Sequence, residues 1–258
     1  MLKNKKGIVF GIANDHSIAW GIAKKLAEYG AEIGITYQNN LLLKRVKPLA
    51  EKINSHLLIE CDFSQKDSIK KCFEKIQKKF HKIDFIIHAV AYSDKNELNG
   101  KYLNTSKNNF INTLNISCYS FTEISKEASK IMNVGGSLLT LTFHGSNKVM
   151  PNYNVMGIAK AALETSVKYL SVDLGAQEIR VNAISAGPMR TLAGAAIANA
   201  RDVYNYTQTH SALKRNVSLE ELGNTALYFV SDLSKAVTGE IHYVDCGFNI
   251  IGMPNSNI

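Results

Sequence analysis

Residues 7–21, GIVFGIANDHSIAWG, have the order of a buried strand, a tight turn and the start of a helix. Gly11 permits the turn after the apolar run, and Ser17 is a favoured residue at a helix N-cap. The free N–H groups and the positive dipole end of such a helix would bind a pyrophosphate. The stretch lacks the Gly-x-Gly-x-x-Gly pattern, so a strand, turn and helix without any ligand remain an open interpretation.

Short apolar runs and helical patterns alternate along the rest of the chain. The predicted strands are residues 7–12, 32–37, 56–61, 84–90, 137–143, 180–185 and 240–244. The predicted helices lie near residues 18–29, 41–53, 66–80, 106–132, 153–174 and 219–231, and Pro48 does not fit the second of them. This alternation predicts an α/β fold, a doubly wound (Rossmann-like) parallel sheet of about seven strands with helices on both faces. We expect a single domain over residues 1–258, with its ligand at the carboxyl ends of the strands.

The composition excludes several classes of protein. With 45% hydrophobic and 20% charged residues, the chain is not a disordered one. Its net charge is +8, but most lysines fall at polar positions of helical patterns, so a nucleic-acid partner is not expected. The four cysteines lack zinc or Cys-x-x-Cys spacing, which predicts a reducing, cytoplasmic location and no metal site. The first apolar run is too short for a signal peptide or a membrane span.

A second stretch, residues 151–160 (PNYNVMGIAK), places a phenol and an amine at the start of a helical pattern. Tyr153 and Lys160 are seven residues apart, which is two helical turns, so both side chains are expected on one face. A neighbouring lysine would lower the pKa of the tyrosine and make it a better proton donor or oxyanion partner. The alternative is an exposed lysine beside a half-buried tyrosine, without a catalytic role.

The ends of other predicted strands carry candidate ligand contacts. Gln38 can bond a ribose hydroxyl but cannot neutralise a 2′-phosphate, which favours NADH over NADPH. Asp62 would accept a hydrogen bond from an adenine amino group or cap the segment that follows it. His88 is expected to be a hydrogen-bonded core histidine. The Gly187-Pro188 turn suits contacts to a nicotinamide amide and to phosphates.

Residues 192–200 are small and mostly apolar. A weakly anchored helix of this composition can act as a lid over an apolar ligand, although a plain packed helix has the same pattern. We therefore expect a substrate lid near residues 191–210.

Taken together, three features resemble the bacterial NADH-dependent enoyl-acyl-carrier-protein reductases, a divergent branch of the short-chain dehydrogenase/reductase family. They are the loop from Gly11 to Ser17, the six residues between Tyr153 and Lys160, and residues 180–188 (RVNAISAGP). The resemblance covers residues 7–252. Ordinary short-chain dehydrogenases have only three residues between the tyrosine and the lysine. With Lys160 as that lysine, this spacing would require a tyrosine in place of Met156.

The resemblance implies NADH as the cofactor and acyl carrier protein, carrying the enoyl substrate, as the partner in fatty acid synthesis. It implies that Tyr153 binds the thioester carbonyl of a trans-2-enoyl chain while hydride adds to the β-carbon and an enolate forms. It also implies a homotetramer. The implied cofactor contacts are Gly11, Ser17, Ile18, Gln38, Asp62, Phe63, Val90, Lys160, Met189 and Thr191.

One position departs from the family pattern. Phe143 stands where the family usually has a second tyrosine, and phenylalanine cannot donate a hydrogen bond or a proton. Either that second hydroxyl is dispensable or the protein is slow. Two alternatives to an enoyl reductase therefore stay open: a dinucleotide-binding protein with weak or no catalysis, and a 3-oxoacyl thioester reductase, against which Met156 argues.

Overall fold

A computed structural model describes residues 1–195 and 197–253. Within these residues, seven parallel strands form one sheet in the order β3-β2-β1-β4-β5-β6-β7. The strands are β1 Lys6–Phe10, β2 Glu32–Tyr37, β3 Leu57–Glu60, β4 Ile83–His88, β5 Met132–Thr142, β6 Arg180–Ala186 and β7 Ile241–Val244. The doubly wound parallel fold predicted from the sequence is confirmed.

Helices cover both faces of the sheet. They are α1 Ile18–Glu28, α2 Asn40–Lys52, α3 Ser68–Phe80, α4 Lys107–Leu114, α5 Ser120–Ser129, α6 Asn154–Gly175, α7 Leu192–Ala195, α8 Ala200–His210 and α9 Leu219–Val230. One buried apolar core joins α1, α2 and α9 to the sheet, and a second joins α3, α5 and α6 to its other face. Burial on both faces explains why the strands are mostly apolar and show no regular alternation of apolar and polar residues.

The strand order reverses between β1 and β4, which places a crevice at their carboxyl ends. Gly11 follows β1 with φ +100°, a conformation that favours glycine. A Cβ atom at Gly11 would overlap the carbonyl oxygen of Ala89, which follows β4. The two backbones therefore approach each other as closely as a glycine allows, and the floor of the crevice is backbone.

The prediction of one continuous helix over residues 106–132 is wrong, because the helix is interrupted and ends before residue 132. A π-helical segment, Asn115–Tyr119, separates α4 from α5, and a π segment arises where an extra residue enters a helix. The chain leaves α5 at Ser129 and enters β5 at Met132, five residues before the predicted start of that strand. The pairing of β4 with β5 is irregular here, since Ile83 pairs with Met132 whereas Phe85 pairs with Ser137.

Pro48 lies inside α2, contrary to the expectation that it does not fit that helix. A proline removes one N–H from the ladder and leaves the carbonyl of Lys44 without its usual partner. Both Lys44 and Pro48 are exposed, so water can hydrate that carbonyl. The side chain of Asn39 caps the helix by accepting from the N–H groups of Leu41 and Leu42, at 3.1 Å each.

None of the helices within residues 1–195 and 197–253 combines the length and the apolar character needed to cross a membrane.

Candidate active site

Tyr153 occupies the N-cap position of α6, and only 7% of it is exposed. Its ring belongs to a third apolar cluster, distinct from the two cores on the faces of the sheet, which we call the Tyr153 cluster. Its members are Leu98, Tyr153, Val155, Met156 and Ala159, with Phe110, Leu114, Phe143, Met150 and Ile197 packed around them. The phenol is therefore set in apolar surroundings that could receive an apolar chain.

The ring of Tyr153 is held by the segment that follows β5. Phe143 contacts it edge-on, with 5.1 Å between ring centroids and 68° between the planes. Gly145 leaves room for it, because a Cβ atom there would overlap the Tyr153 ring. A Cβ atom on Gly157 of α6 would come within 2.8 Å of the Gly145 carbonyl oxygen. The two glycines thus let this segment pack directly on α6.

Lys160 lies two turns further along α6, with 6% of it exposed. Its Nζ donates a hydrogen bond of 2.8 Å to the carbonyl oxygen of Leu141 in β5. Burial lowers the pKa of Lys160 to about 8, although the nearby Cys118 and Glu164 favour the charged form. The alternative of an exposed lysine beside a half-buried tyrosine is wrong, since both side chains are buried.

The pKa of Tyr153 is raised, first by burial and second by the negative charge of Glu164. The prediction that Lys160 lowers this pKa is therefore wrong in sign. Removal from water disfavours the phenolate, and the hydrogen bond of Lys160 goes to a backbone carbonyl. A tyrosine is already protonated near neutral pH at its ordinary pKa, and the raised pKa of Tyr153 extends this hydrogen-bond-donating state to higher pH.

Glu164 is a buried carboxylate one turn beyond Lys160 that the sequence reasoning missed. Its Oε1 accepts hydrogen bonds from Thr142 Oγ1 at 2.7 Å and from Ser146 Oγ, and its Oε2 accepts one from Asn147 Nδ2 at 3.3 Å. Asn147 also donates to the Tyr243 hydroxyl at 2.9 Å. Glu164 thus ties the segment after β5 to α6 and places a negative charge near Tyr153 and Lys160. Its spacing of four residues from Lys160 was the available sequence signal.

Hydrogen bonds of Ser17 hold the loop between β1 and α1, which was predicted to contact the cofactor. This residue occupies the N-cap position of α1, as predicted, but its side chain does not cap the helix. Its Oγ instead accepts from the N–H groups of Ala13 and Asn14 at 3.1 Å each, and donates to Asn14 Oδ1 at 3.2 Å. The loop between β1 and α1 is held by its own residues, and Ile18 begins the helix.

Gln38 and Asp62, predicted to contact the adenosine half of a dinucleotide, lie together. Gln38 Nε2 donates to Asp62 Oδ1 at 3.4 Å. The same oxygen accepts from the N–H and the hydroxyl of Ser64, at 3.0 and 2.8 Å. Asp62 therefore caps the turn at Ser64 and not helix α3, which begins at Ser68.

Phe63 and Val90, two further predicted cofactor contacts, pack on the core at one end of the crevice. Phe63 lies 6.1 Å from Phe10 between ring centroids. It packs, as Val90 does, against the core that contains α3 and α5.

His88 is a satisfied core histidine, as predicted. It is fully buried, and its Nδ1 and Nε2 lie 2.8 Å from Thr140 Oγ1 and 3.0 Å from Ser120 Oγ. Because the Ser120 hydroxyl donates to the carbonyl of Ile116, the assignment that satisfies every group has Nε2 protonated and Nδ1 accepting. Burial lowers the pKa of His88 to about 3, so it stays neutral.

The segment after β6 lies at the other end of the crevice. Met189 packs against the core that contains α1 and α9. The Thr191 hydroxyl accepts from the N–H of Gly194 at 2.9 Å and so caps α7. Ser185 Oγ is buried and has no hydrogen-bond partner among the described residues, which is uncommon for a buried polar atom. The sequence reasoning also missed Ser185.

The lid predicted near residues 191–210 corresponds to two helices, α7 and α8, where one had been expected over 192–200. Ile197, between them, packs against the Tyr153 cluster. Arg190 stacks over the ring of Tyr204 in α8, at 4.4 Å from its centroid.

Comparisons with known proteins identify the family of the chain. A family model described as enoyl-(acyl carrier protein) reductase matches residues 11–249. The NADH-dependent enoyl-acyl-carrier-protein reductase 2 of Rhizobium meliloti is 56% identical, over 98% of this chain and 95% of its own length.

Solved structures give the same result. The enoyl reductase FabI from Candidatus Liberibacter asiaticus is 54% identical with a TM-score of 0.96, over 98% of each chain. The enoyl-acyl-carrier-protein reductase of Anaplasma phagocytophilum, solved in complex with NAD, is 50% identical with a TM-score of 0.95, over 98% of this chain and 97% of that one. The chain therefore belongs to the enoyl-(acyl carrier protein) reductase family of the short-chain dehydrogenases and reductases.

Proposed function

We propose that this protein reduces the double bond of a trans-2-enoyl group carried on acyl carrier protein, with NADH, as a step of fatty acid synthesis. The observation that carries the proposal is the pair of Tyr153 and Lys160, both buried on α6, with Tyr153 set among apolar side chains. The relatives named above are enoyl-acyl-carrier-protein reductases, and the one from Rhizobium meliloti is NADH-dependent.

The residues along the crevice fit a nicotinamide dinucleotide. Glycine at position 11 lets the backbones after β1 and β4 meet without a side chain between them, so the floor of the crevice offers backbone groups to a pyrophosphate. The ammonium of Lys160 has three N–H groups and gives one to Leu141, so others can reach ribose hydroxyls. Ser17, Ile18, Asp62, Phe63, Val90, Met189 and Thr191 complete the proposed contacts.

The preference for NADH rests on Gln38. Its side chain is exposed after β2 and donates to Asp62. A neutral amide beside a carboxylate can bond ribose hydroxyls but offers no positive charge to a 2′-phosphate. NADPH would bring that phosphate towards Asp62, so NADH is the better fit.

NADH bound in this crevice would supply the hydride that adds to the β-carbon, and a proton must then add to the α-carbon of the enolate to give the saturated thioester. Tyr153 donates a hydrogen bond from its hydroxyl to the thioester carbonyl oxygen, which gains negative charge as the enolate forms. A preplaced donor in apolar surroundings is most effective there, since the charge develops only in the transition state. The raised pKa of Tyr153 keeps this hydrogen in place, and the charged form of Lys160 favours the developing anion.

The Tyr153 cluster is the proposed acyl site. Leu98, Met156 and Ile197 contribute apolar surface around the phenol, with Ile197 coming from the proposed lid at 191–210. Phe143 adds its ring to this surface without a hydroxyl. We therefore assign the donor role to Tyr153 alone, and this assignment requires that the second tyrosine usual in the family is dispensable in this chain.

Partners follow from surface chemistry. The net charge of +8, the exposed Arg201 in the lid and the exposed Lys214 just after it suit an acidic carrier protein. Large apolar side chains are exposed on α4, the π-helical segment and α6, which contact one another. They are Ile111, Tyr119, Tyr169 and Val172. Such surface suits contact between subunits of a homotetramer.

The cysteines, all free among the described residues, suit a cytoplasmic location.

The test is NADH oxidation with a short trans-2-enoyl thioester, with the corresponding β-keto thioester as a control and the saturated thioester confirmed by mass spectrometry. The proposal expects turnover with the enoyl substrate alone. Turnover of the β-keto substrate would identify a 3-oxoacyl reductase instead. NADH binding without turnover of either would favour the weakly catalytic binding protein, the alternative that Phe143 keeps open.

A further inference from the structure

The two residues that flank Tyr153 have unusual backbone conformations. Asn152 has φ +58° and Asn154 has φ +40°, both in the left-handed region that asparagine tolerates better than most residues. Neither side chain is used by the chemistry assigned above. Each instead reaches a different segment of chain, and both segments contribute to the Tyr153 cluster.

Asn152 bonds to the proposed lid. Its Nδ2 donates to the carbonyl oxygen of Ala198 at 3.0 Å. Ala198 lies between α7 and α8, next to Ile197, which packs against the Tyr153 cluster. This hydrogen bond therefore fixes the lid directly beside its apolar contact with the cluster.

Asn154 bonds to a second wall. Its Nδ2 lies 3.3 Å from the carbonyl oxygen of Glu97 and 3.2 Å from those of Leu98 and Gly100. An amide has two N–H groups, so it satisfies two of these three acceptors at a time. Leu98 is buried in the Tyr153 cluster. The carboxylate of Glu97 in turn binds the N–H and hydroxyl of Ser106, at 2.8 Å each, where α4 begins.

We propose that Asn152 and Asn154 are positioning residues that set the width of the acyl site. Asn152 fixes the lid through its hydrogen bond to Ala198, and Asn154 fixes the second wall through its hydrogen bonds to residues 97–100. Tyr153 lies between them in the chain, so the donor and both walls are fixed from one point at the start of α6. This inference rests on the proposed function for the identity of the ligand. The two contacts themselves do not depend on it.

The left-handed backbone permits a matched set of variants. Asn152→Gly and Asn154→Gly remove the amide while glycine keeps the same φ without strain. Asn152→Asp and Asn154→Asp keep the size of the side chain but present a carboxylate oxygen to a carbonyl oxygen. Asn54→Gly is the control, because Asn54 has φ +53° and is exposed at the end of α2, away from the site.

Hydrogen exchange of the full-length protein without ligands is the first readout. Asn152→Gly should speed exchange in residues 197–210 by about fivefold, as expected for the net contribution of one hydrogen bond, and Asn154→Gly, which removes two, should speed exchange in residues 97–104 by about thirtyfold. The aspartate variants should show the same local pattern, and Asn54→Gly should leave both segments unchanged. Unchanged exchange in these segments, or an increase spread evenly over the chain, would overturn the proposal.

Kinetics supply the second readout. Each glycine variant should raise the KM for a medium-chain enoyl thioester by at least about fivefold, with kcat and the Kd for NADH close to wild type. An equal loss in kcat, or an unchanged KM despite faster local exchange, would overturn the assignment of these residues to the acyl site. Absence of turnover by the wild type would refute the proposed function. Wild-type turnover with unaltered exchange in the variants would refute the role of the asparagines alone.

Discussion

Raising the pH through the pKa of Lys160 is expected to stabilise the folded protein. Burial lowers this pKa from 10.5 to about 8, so between these two values the unfolded chain binds more protons than the folded one. The free energy of unfolding must then rise with pH across this window. Below about pH 8, burial of the charged Lys160 lowers the free energy of unfolding by its full amount. This destabilisation disappears by about pH 10.5, where the lysine is neutral in the unfolded chain as well. At about 1.4 kcal/mol per pH unit, the gain over the whole window is about 3 kcal/mol.

Lys160→Met isolates this contribution, because methionine has a similar length and cannot titrate. Urea unfolding of both proteins would be followed by the fluorescence of the single tryptophan, Trp20, at pH 7, 8, 9 and 10 and one protein concentration. The stability of wild type relative to Lys160→Met should stay nearly level to pH 8 and then rise by about 2 kcal/mol by pH 10. The raised pKa of Tyr153 acts above pH 10 and is common to both proteins. A constant difference from pH 7 to pH 10 would show that Lys160 titrates as an exposed lysine and would refute the reasoning.

Three further predictions follow from the site. Phe143→Tyr should change kcat by less than about threefold, because Tyr153 alone supplies the donor; a gain approaching the hundredfold or more of an oxyanion donor would contradict this. Gln38→Arg should shift the ratio of kcat/KM for NADPH to that for NADH by about tenfold towards NADPH, since a guanidinium can bind the 2′-phosphate; an unchanged ratio would remove Gln38 from the cofactor site. Glu164→Gln removes a charge that raises the pKa of Lys160, so the alkaline limb of the pH profile of kcat/KM should move to lower pH; a limb that stays in place would leave Glu164 only a structural role.

The fold could be predicted because strands and helices alternate with clear apolar patterns, and their order alone specifies parallel crossovers. The places where prediction failed depend on local backbone events. Nothing in the residues at 106–132 marks the π-helical segment that separates α4 from α5. Pro48 is tolerated because its helix position faces solvent, which depends on how α2 packs.

The site could be predicted only in part. The spacing of Tyr153 and Lys160 identified the pair, because sequence distance along one helix translates directly into geometry. The sign of the Tyr153 pKa shift could not be predicted, since it depends on burial by residues from the segment after β5, the lid and the loop at Leu98. The partners of Glu164 and Asn154 are likewise set by tertiary structure: Thr142 is 22 residues away and Leu98 is 56 residues away.

The central claim is that Tyr153 is the hydrogen-bond donor to the enolate oxygen. The most direct measurement is steady-state NADH oxidation by Tyr153→Phe with a trans-2-enoyl thioester, beside wild type, with NADH affinity determined for both. Loss of one such donor predicts a kcat lower by about a hundredfold to a thousandfold, with little change in KM or in NADH affinity. A variant that keeps full turnover would contradict the claim.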